Sequence, residues 1–334
     1  MNITLTLDYE LFLNDITGTV ENCLIKPMKE LQKICDKYKI NITIFVDAAY
    51  LYKLNELRYK YPKLQKDYDK IVENIQWLVK KGHDVQLHIH PQWYYSEYNG
   101  DDWVLDWNHY KLSDMPKEYA FKMFKTSKLL LDKLVGYETS LFRAGGYSIQ
   151  DFDYVSCFKD NGIIGDSSVL PGSFIRHKTH SYDYRSASYG VYKFDNNINK
   201  PVETGTFWEF PICATQAIPI WKYRNIKKKW MLQTEPNWGD GGDKPIVSKI
   251  GKIKALLSSF ELFKHPHGTI DYQSYFWLKE SYEYTKPYGY MTIIGHPKNF
   301  SASSLFYFDA FIKECQKNGD TFVTMHQFIK QSDK

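Results

Sequence analysis

Residues 68 to 91 read YDKIVENIQWLVKKGHDVQLHIHP. Tyr68, Ile71, Val72, Ile75, Leu78 and Val79 recur at the three- and four-residue spacing of one helix face. Gly82 follows, where a helix ends readily in the left-handed conformation. Asp84 to His90 then reads as a strand. A helix running straight into a strand that closes on two histidines and a proline is the unit of an α/β fold with polar strand ends.

The same unit recurs on both sides. Residues 2 to 10, NITLTLDYE, predict a strand ending in carboxylates. Pro27 opens a helix carrying Met28, Leu31, Cys35 and Tyr38 on one face, before the strand Ile42 to Val46. Downstream, helices are expected near Lys117 to Val135, Phe152 to Asp160 and Ser303 to Lys317, the last capped by Gly319. Strands are expected at Ser140 to Arg143, Ile163 to Asp166, Phe207 to Pro211, Tyr290 to Gly295 and Thr321 to Met325. Strands alternating with helices imply a parallel sheet, open or closed into a barrel. Two polar stretches, about 171 to 206 and 221 to 288, break the rhythm and read as insertions on a single domain spanning residues 1 to 334. The second holds a Gly-Asp-Gly-Gly turn at 239 to 242, an expected helix near Val247 to Phe263, and His-Pro-His at 265 to 267.

Composition narrows the function classes. With 43% hydrophobic and 25% charged residues among 334, the chain has the makings of a large core. A net charge of +4 with scattered basic residues, the nearest run being Lys227 to Lys229, lacks the footprint of a nucleic-acid binder. Five separated cysteines without a C-x-x-C pair indicate neither a disulfide framework nor a zinc ribbon. No apolar stretch is long enough to span a bilayer and Met1 leads directly into a strand, so a cytoplasmic protein without a membrane span is expected. The aromatic share is high, 17% with 27 tyrosines and 9 tryptophans. Most of these pack the fold, while Trp93-Tyr94-Tyr95, and Trp103 with Trp107, lie in predicted loops where a ring could stack on a sugar.

In parallel α/β folds the ligand site forms at the carboxyl ends of the strands. Asp8 and Glu10 end the first strand and share a face, as do His88 and His90 on theirs. Two imidazoles and one or two carboxylates converging on one mouth suit a catalytic divalent metal, zinc first. Arg143, Asp166 and His296 stand at further strand ends. His83, at the opposite end of its strand, is expected to be structural. His109, His177 and His180 fall in loops, His265 and His267 flank a proline, and His326 lies in the last expected strand with no evident partner.

These motifs resemble the polysaccharide deacetylase family, the NodB-homology or carbohydrate esterase family 4 group. Thr6-Leu7-Asp8-Tyr9-Glu10 is similar to the family's Thr-Phe-Asp-Asp. Gly82-His83-Asp84 with His88 resembles the approach to the metal-binding histidines, Phe142 to Tyr147 the arginine-containing third motif, Asp166 the fourth, and Ile294-Gly295-His296 the Leu-x-His of the fifth. The likeness covers roughly residues 2 to 170 and 205 to 330. Three departures mark a divergent branch: Asp-x-Glu replaces the adjacent aspartates, Gln92 stands where the second histidine is expected, and Gly145 stands where a proline is usual.

The resemblance implies a distorted (β/α) barrel that uses a divalent metal to remove an N-acetyl or O-acetyl group from a carbohydrate. It implies Glu10, His88 and His90 as ligands, Asp8 as general base held ionised by Arg143, and His296 as general acid oriented or charged by Asp166. Trp93, Tyr94 and Tyr147 are expected to contact the substrate, a sugar or sugar precursor in surface-polysaccharide assembly. A cytoplasmic location would favour a nucleotide- or lipid-linked precursor. Two other readings stay open: a metal-dependent hydrolase of a non-sugar amide, and a carbohydrate-binding protein that has lost turnover.

Overall fold

The computed structural model describes residues 1–215, 235–243, 267–271 and 275–332. Its centre is a parallel sheet of β1 (Asn2–Tyr9), β2 (Thr43–Asp47), β3 (Asp84–Ile89), β6 (Leu141–Ala144), β7 (Gly165–Asp166), β11 (Phe207–Glu209) and β12 (Tyr290–Gly295). The chain between β3 and β6 adds a small hairpin, β4 (Glu97–Tyr98) with β5 (Trp103–Val104). β12 pairs with β1, and β2, β3, β6, β7 and β11 follow in order on β1's other side. Past β11, Ile212 bridges Thr292 of β12, and the Cys213 N–H donates to the Thr292 carbonyl at 2.9 Å, so the two ends of the sheet meet. The result is a distorted (β/α) barrel.

Alternating side chains give the wall two faces. On β1, Ile3, Leu5, Leu7 and Tyr9 point outward beneath α1 (Lys26–Tyr38), α3 (Pro62–Lys80) and α8 (Ala302–Lys317), and the Tyr9 hydroxyl donates to Asn74 Oδ1 of α3. Thr4, Thr6 and Asp8 point inward. Phe45, Leu141, Phe210 and Tyr290 form a separate inner cluster with Met325 and Ile329 of α9 (Met325–Ser332), which packs across the strands' amino ends. With that end closed by apolar packing, the polar groups are left at the carboxyl ends.

Several elements differ from the sequence expectation. The last strand is only Thr321–Phe322 (β13), because Thr324 and Gln327 form a reciprocal cap and start α9. His326 thereby gains partners, its ring meeting Asp84 at 2.9 Å and Ser140 Oγ at 2.8 Å. Helix α2 (Ala48–Leu57), not expected from the pattern, is started by Asp47, whose Oδ1 accepts from the Ala49 and Tyr50 N–H groups. The 171 to 206 stretch forms the hairpin β8 (Phe174–Arg176) with β9 (Ser181–Asp183), then β10 (Tyr192–Phe194), which pairs antiparallel with β11. Within 221 to 288, Thr269 bridges Ile294, so residues 267–271 run beside β12 as part of the scaffold. Lys227 to Lys229, His265 and the helix expected near Val247 to Phe263 lie outside the described residues. Among the described residues no helix is long and apolar enough to cross a membrane.

Candidate active site

The mouth of the barrel brings together Asp8 and Glu10 from β1 and its exit, His88 and His90 from β3 and its exit, Arg143 from β6, and His296 just past β12. Glu10, His88 and His90 are all buried, and they offer ligand atoms that lie within 4.8 Å of one another. Glu10 Oε2 sits 3.2 Å from His88 Nε2 and 2.6 Å from His90 Nε2. The His88 Nδ1–H donates to the Arg143 carbonyl at 2.7 Å, which leaves Nε2 as the nitrogen aimed at Glu10. His90 Nδ1 has no partner among the described residues. Two imidazoles and a carboxylate whose donor atoms converge, with a backbone carbonyl orienting one ring, fit a catalytic divalent ion. Burial works to lower the pKa of His88, yet the carboxylates of Asp8 and Glu10 outweigh it and hold the ring up at about 9. The pocket favours a positive charge at this point.

The two carboxylates have different surroundings. Asp8 Oδ1 receives the Arg143 guanidinium at 2.6 Å, while Oδ2 lies 3.6 Å from His296 Nε2 and 4.0 Å from His88 Nε2. Burial pushes the Asp8 carboxyl up, but Arg143, His88 and His296 together take it below its usual value. Arg143 is fully buried and otherwise satisfied by Thr6 Oγ1, Ser167 Oγ and the Ser167 carbonyl. Glu10 Oε1 is held instead by Lys298 at 2.7 Å, which also donates to the Leu11 carbonyl. Burial raises the Glu10 pKa, and Lys298 and His90 bring it well below the ordinary range. Lys298 was not singled out in the sequence, although it follows His296 by two residues.

His296 departs from expectation in its partner. Its Nδ1–H donates to Asp271 Oδ2, and Asp271 Oδ1 accepts its backbone N–H at 2.7 Å. Burial lowers the imidazole pKa, and Asp271, Asp8 and Glu10 raise it above the usual value. Asp166 is therefore not the residue that orients His296. It is buried at the end of β7, receives the Ser168 N–H and hydroxyl, and faces Glu209 across the β7–β11 pairing. Burial pushes its pKa up to about 6 against those hydrogen bonds. Ser168 Oγ in turn accepts the Ala144 N–H, so Asp166 braces the strand that carries Arg143. Asp271 escaped the sequence reading because the segment around it reads as insertion. The signal was a β-branched pair, Thr269-Ile270, ending in a carboxylate, as in β1.

The aromatic residues also sort differently. Trp93 is fully buried, with its ring 4.5 Å from that of Tyr50 and 5.2 Å from that of Trp103. The Tyr94 hydroxyl meets Ser127 Oγ in the interior at 2.9 Å. Both residues pack α4 (Gln92–Tyr95) onto α2 and α5 (Lys117–Val135) and do not line a groove. Tyr147 does lie at the site: its environment includes Asp8, Arg143 and Asp271, and burial followed by Asp8 drives its pKa well up. Its φ of 60°, directly after Gly146 at 59°, places two successive residues in the left-handed region. A non-glycine residue there costs roughly 1–3 kcal/mol, the kind of strain often held at functional sites. Gly145 packs against the pocket formed by Glu10, His88 and His90. A Cβ on it would come 2.6 Å from His90 Nδ1 and from the Ile89 carbonyl. Tyr110 and His180, paired at 2.8 Å through the tyrosine hydroxyl, close the side next to His90, so the 171 to 206 stretch reaches the site. His83 lies at the far end of β3, accepting the Ile42 N–H and bonding Gln32, a structural position as expected.

No protein-family model matches this sequence, and no curated protein matches it. Solved structures do. A polysaccharide deacetylase from Mycobacterium smegmatis superposes with a TM-score of 0.51 at 13% identity, over 99% of this chain and 89% of that one. The fold is that of the polysaccharide deacetylases. The Puue allantoinase superposes with the same TM-score, at 11% identity over 98% of this chain and 88% of that one. The barrel is thus shared by proteins described as acting on different substrates, and what this chain does has to be argued from its own side chains.

Proposed function

We propose that this protein is a metal-dependent deacetylase that removes an N-acetyl or O-acetyl group from a carbohydrate, a surface polysaccharide or its precursor. The observation that carries this reading is the division of labour between two carboxylates at the end of β1: Glu10 faces both imidazoles, while Asp8 is held by Arg143 and turned toward His296. Glu10, His88 and His90 would hold the ion, and zinc suits the donor set. A divalent ion held there would polarise the acyl carbonyl and lower the pKa of water. Arg143 keeps Asp8 ionised, so its other oxygen, Oδ2, can take a proton from an attacking water. His296 carries its proton on Nε2, which faces the same space, and donates it to the departing amine or alcohol. Asp271 fixes the ring and favours its charged form. The Ala144 N–H is already spent on Ser168 and is not available as an oxyanion donor.

The completeness of this set argues against a binding protein that has lost turnover. A non-sugar amide remains the second reading, supported by the equal likeness to the allantoinase fold. The test is release of acetate or amine from a panel of N-acetyl and O-acetyl sugars, with allantoin included and zinc added back to metal-stripped protein. Zinc-dependent acetate release supports the proposal. Turnover of allantoin alone would favour the second reading.

A further inference from the structure

Ser140, His326 and Asp84 meet at the amino end of the barrel, away from the groups that surround Glu10. Ser140 immediately precedes β6, Asp84 opens β3, and His326 is the second residue of α9. Asp84 and His88 stand four residues apart on one strand, a separation of about 13 Å. The cluster is therefore distinct from the candidate metal site.

Its geometry is that of an activated hydroxyl. Ser140 Oγ lies 2.8 Å from His326 Nε2, and His326 Nδ1 lies 2.9 Å from Asp84 Oδ1 and 3.0 Å from Oδ2. A carboxylate can only accept, so Nδ1 carries the proton of the neutral ring and Nε2 is left to accept from the serine hydroxyl. Nucleophile, base and orienting carboxylate thus stand in sequence, an arrangement recognised by geometry and not by position in the chain.

The orienting carboxylate is itself fixed. Gln86 Nε2 donates to Asp84 Oδ1 at 2.7 Å, and Thr43 Oγ1 donates to Oδ2 at 3.2 Å. Thr43 Oγ1 also accepts the Met325 N–H, so the start of the helix that carries His326 is tied to the same network. Solvent can reach the pair: the His326 side chain is 28% exposed and Ser140 is half-buried.

The backbone limits which substrates can react. The Ser140 and Leu141 N–H groups, next to the nucleophile, are both spent on Gln86 Oε1. Neither can stabilise an oxyanion, and one such donor is worth about 100- to 1,000-fold in rate. Amides and alkyl esters, which need that help most, are poor substrates for this arrangement. Acyl groups on a good leaving group are the ones that fit it.

We propose that Ser140 is a metal-independent nucleophile, activated by His326 and Asp84, that takes the acyl group of a phenyl ester or thioester. Ser140 Oγ bonds to the acyl carbon while its proton passes to His326 Nε2, and Asp84 balances the imidazolium. The bond from carbon to the phenol oxygen or thiol sulfur then breaks, and the leaving group departs with that proton, leaving O-acyl-Ser140. Peptide mass spectrometry on the zinc-loaded full chain reads the product directly, after incubation with p-nitrophenyl acetate or with a fluorophosphonate, which bonds phosphorus to an activated serine and releases fluoride. Both reagents are expected to modify Ser140 in the folded protein and not in heat-unfolded protein. Asp84→Asn and His326→Gln should each slow the reaction by about 100-fold or more, as for loss of a general base. Ser140→Ala should abolish the adduct and leave zinc content unchanged. No adduct at Ser140 in the folded wild type, an adduct that forms as fast on the unfolded chain, or an undiminished rate in folded Asp84→Asn would overturn the proposal.

Discussion

Asp8 and Glu10 are two residues apart at the end of β1, yet their neighbours separate them. Arg143 occupies one oxygen of Asp8, and Lys298 one oxygen of Glu10, so each presents its other oxygen in a fixed direction. Asp8→Asn keeps the shape and an acceptor but removes the basicity, and turnover should fall about 100-fold or more with metal content unchanged. Glu10→Gln should lose metal first and activity as a consequence. Elemental analysis beside steady-state rates checks the pair, and a metal-free Asp8→Asn with a loaded, active Glu10→Gln would exchange the two roles. Trp93 belongs at this scale as well. Its burial predicts that Trp93→Ala lowers stability by about 3–5 kcal/mol, read by denaturant unfolding, with glycan affinity unaffected in the folded fraction. Weakened glycan binding at unchanged stability would restore the ring to the substrate groove. The histidine pair and both carboxylates were legible because strand alternation alone sets their facing. Trp93 was not, because a short helix directly after β3 turns the ring inward, and four residues carry too little periodicity to announce it.

At the scale of elements, β3 is polar at both ends for opposite reasons. Its carboxyl end carries His88 and His90, and just ahead of its amino end His83 is buried against α1, joining Gln32 to the Ile42 N–H. Burial lowers the His83 pKa to about 4, from an unfolded value near 6.5. Between those values the unfolded chain binds the proton and the folded chain does not, so stability is complete above about pH 6.5 and declines as pH falls toward 4. The loss amounts to roughly 3 kcal/mol at most. His83→Gln should flatten this acid limb in urea unfolding measured from pH 7 to pH 4, and an unchanged slope would show that His83 is not its source. Long amphipathic helices such as α3 and α5 were readable from their stripes. Helix α2 and the start of α9 were not, since each depends on a cap, Asp47 in one case and Thr324 with Gln327 in the other, more than on a stripe. Asp271 was hidden for a related reason. It reaches His296 through a single bridge, Thr269 to Ile294, which has no repeat to mark it.

At the scale of the molecule, the barrel wall keeps two kinds of interior apart. Apolar residues and α9 fill the amino end, and buried ionisable groups fill the carboxyl end, each matched by an opposite charge or a hydrogen bond. Unpaired, such groups would be costly to bury. Paired, they leave a position between Glu10, His88 and His90 where a carboxylate oxygen and the Nε2 atoms of both imidazoles converge. That position is the centre of the account, and an anomalous difference map from a zinc-soaked crystal, collected at the zinc absorption edge, tests it most directly. The account predicts one dominant peak per chain, about 2.0–2.2 Å from a Glu10 carboxylate oxygen and from one ring nitrogen each of His88 and His90. A map with no peak at that point, or with zinc bound only elsewhere on the chain, would contradict it.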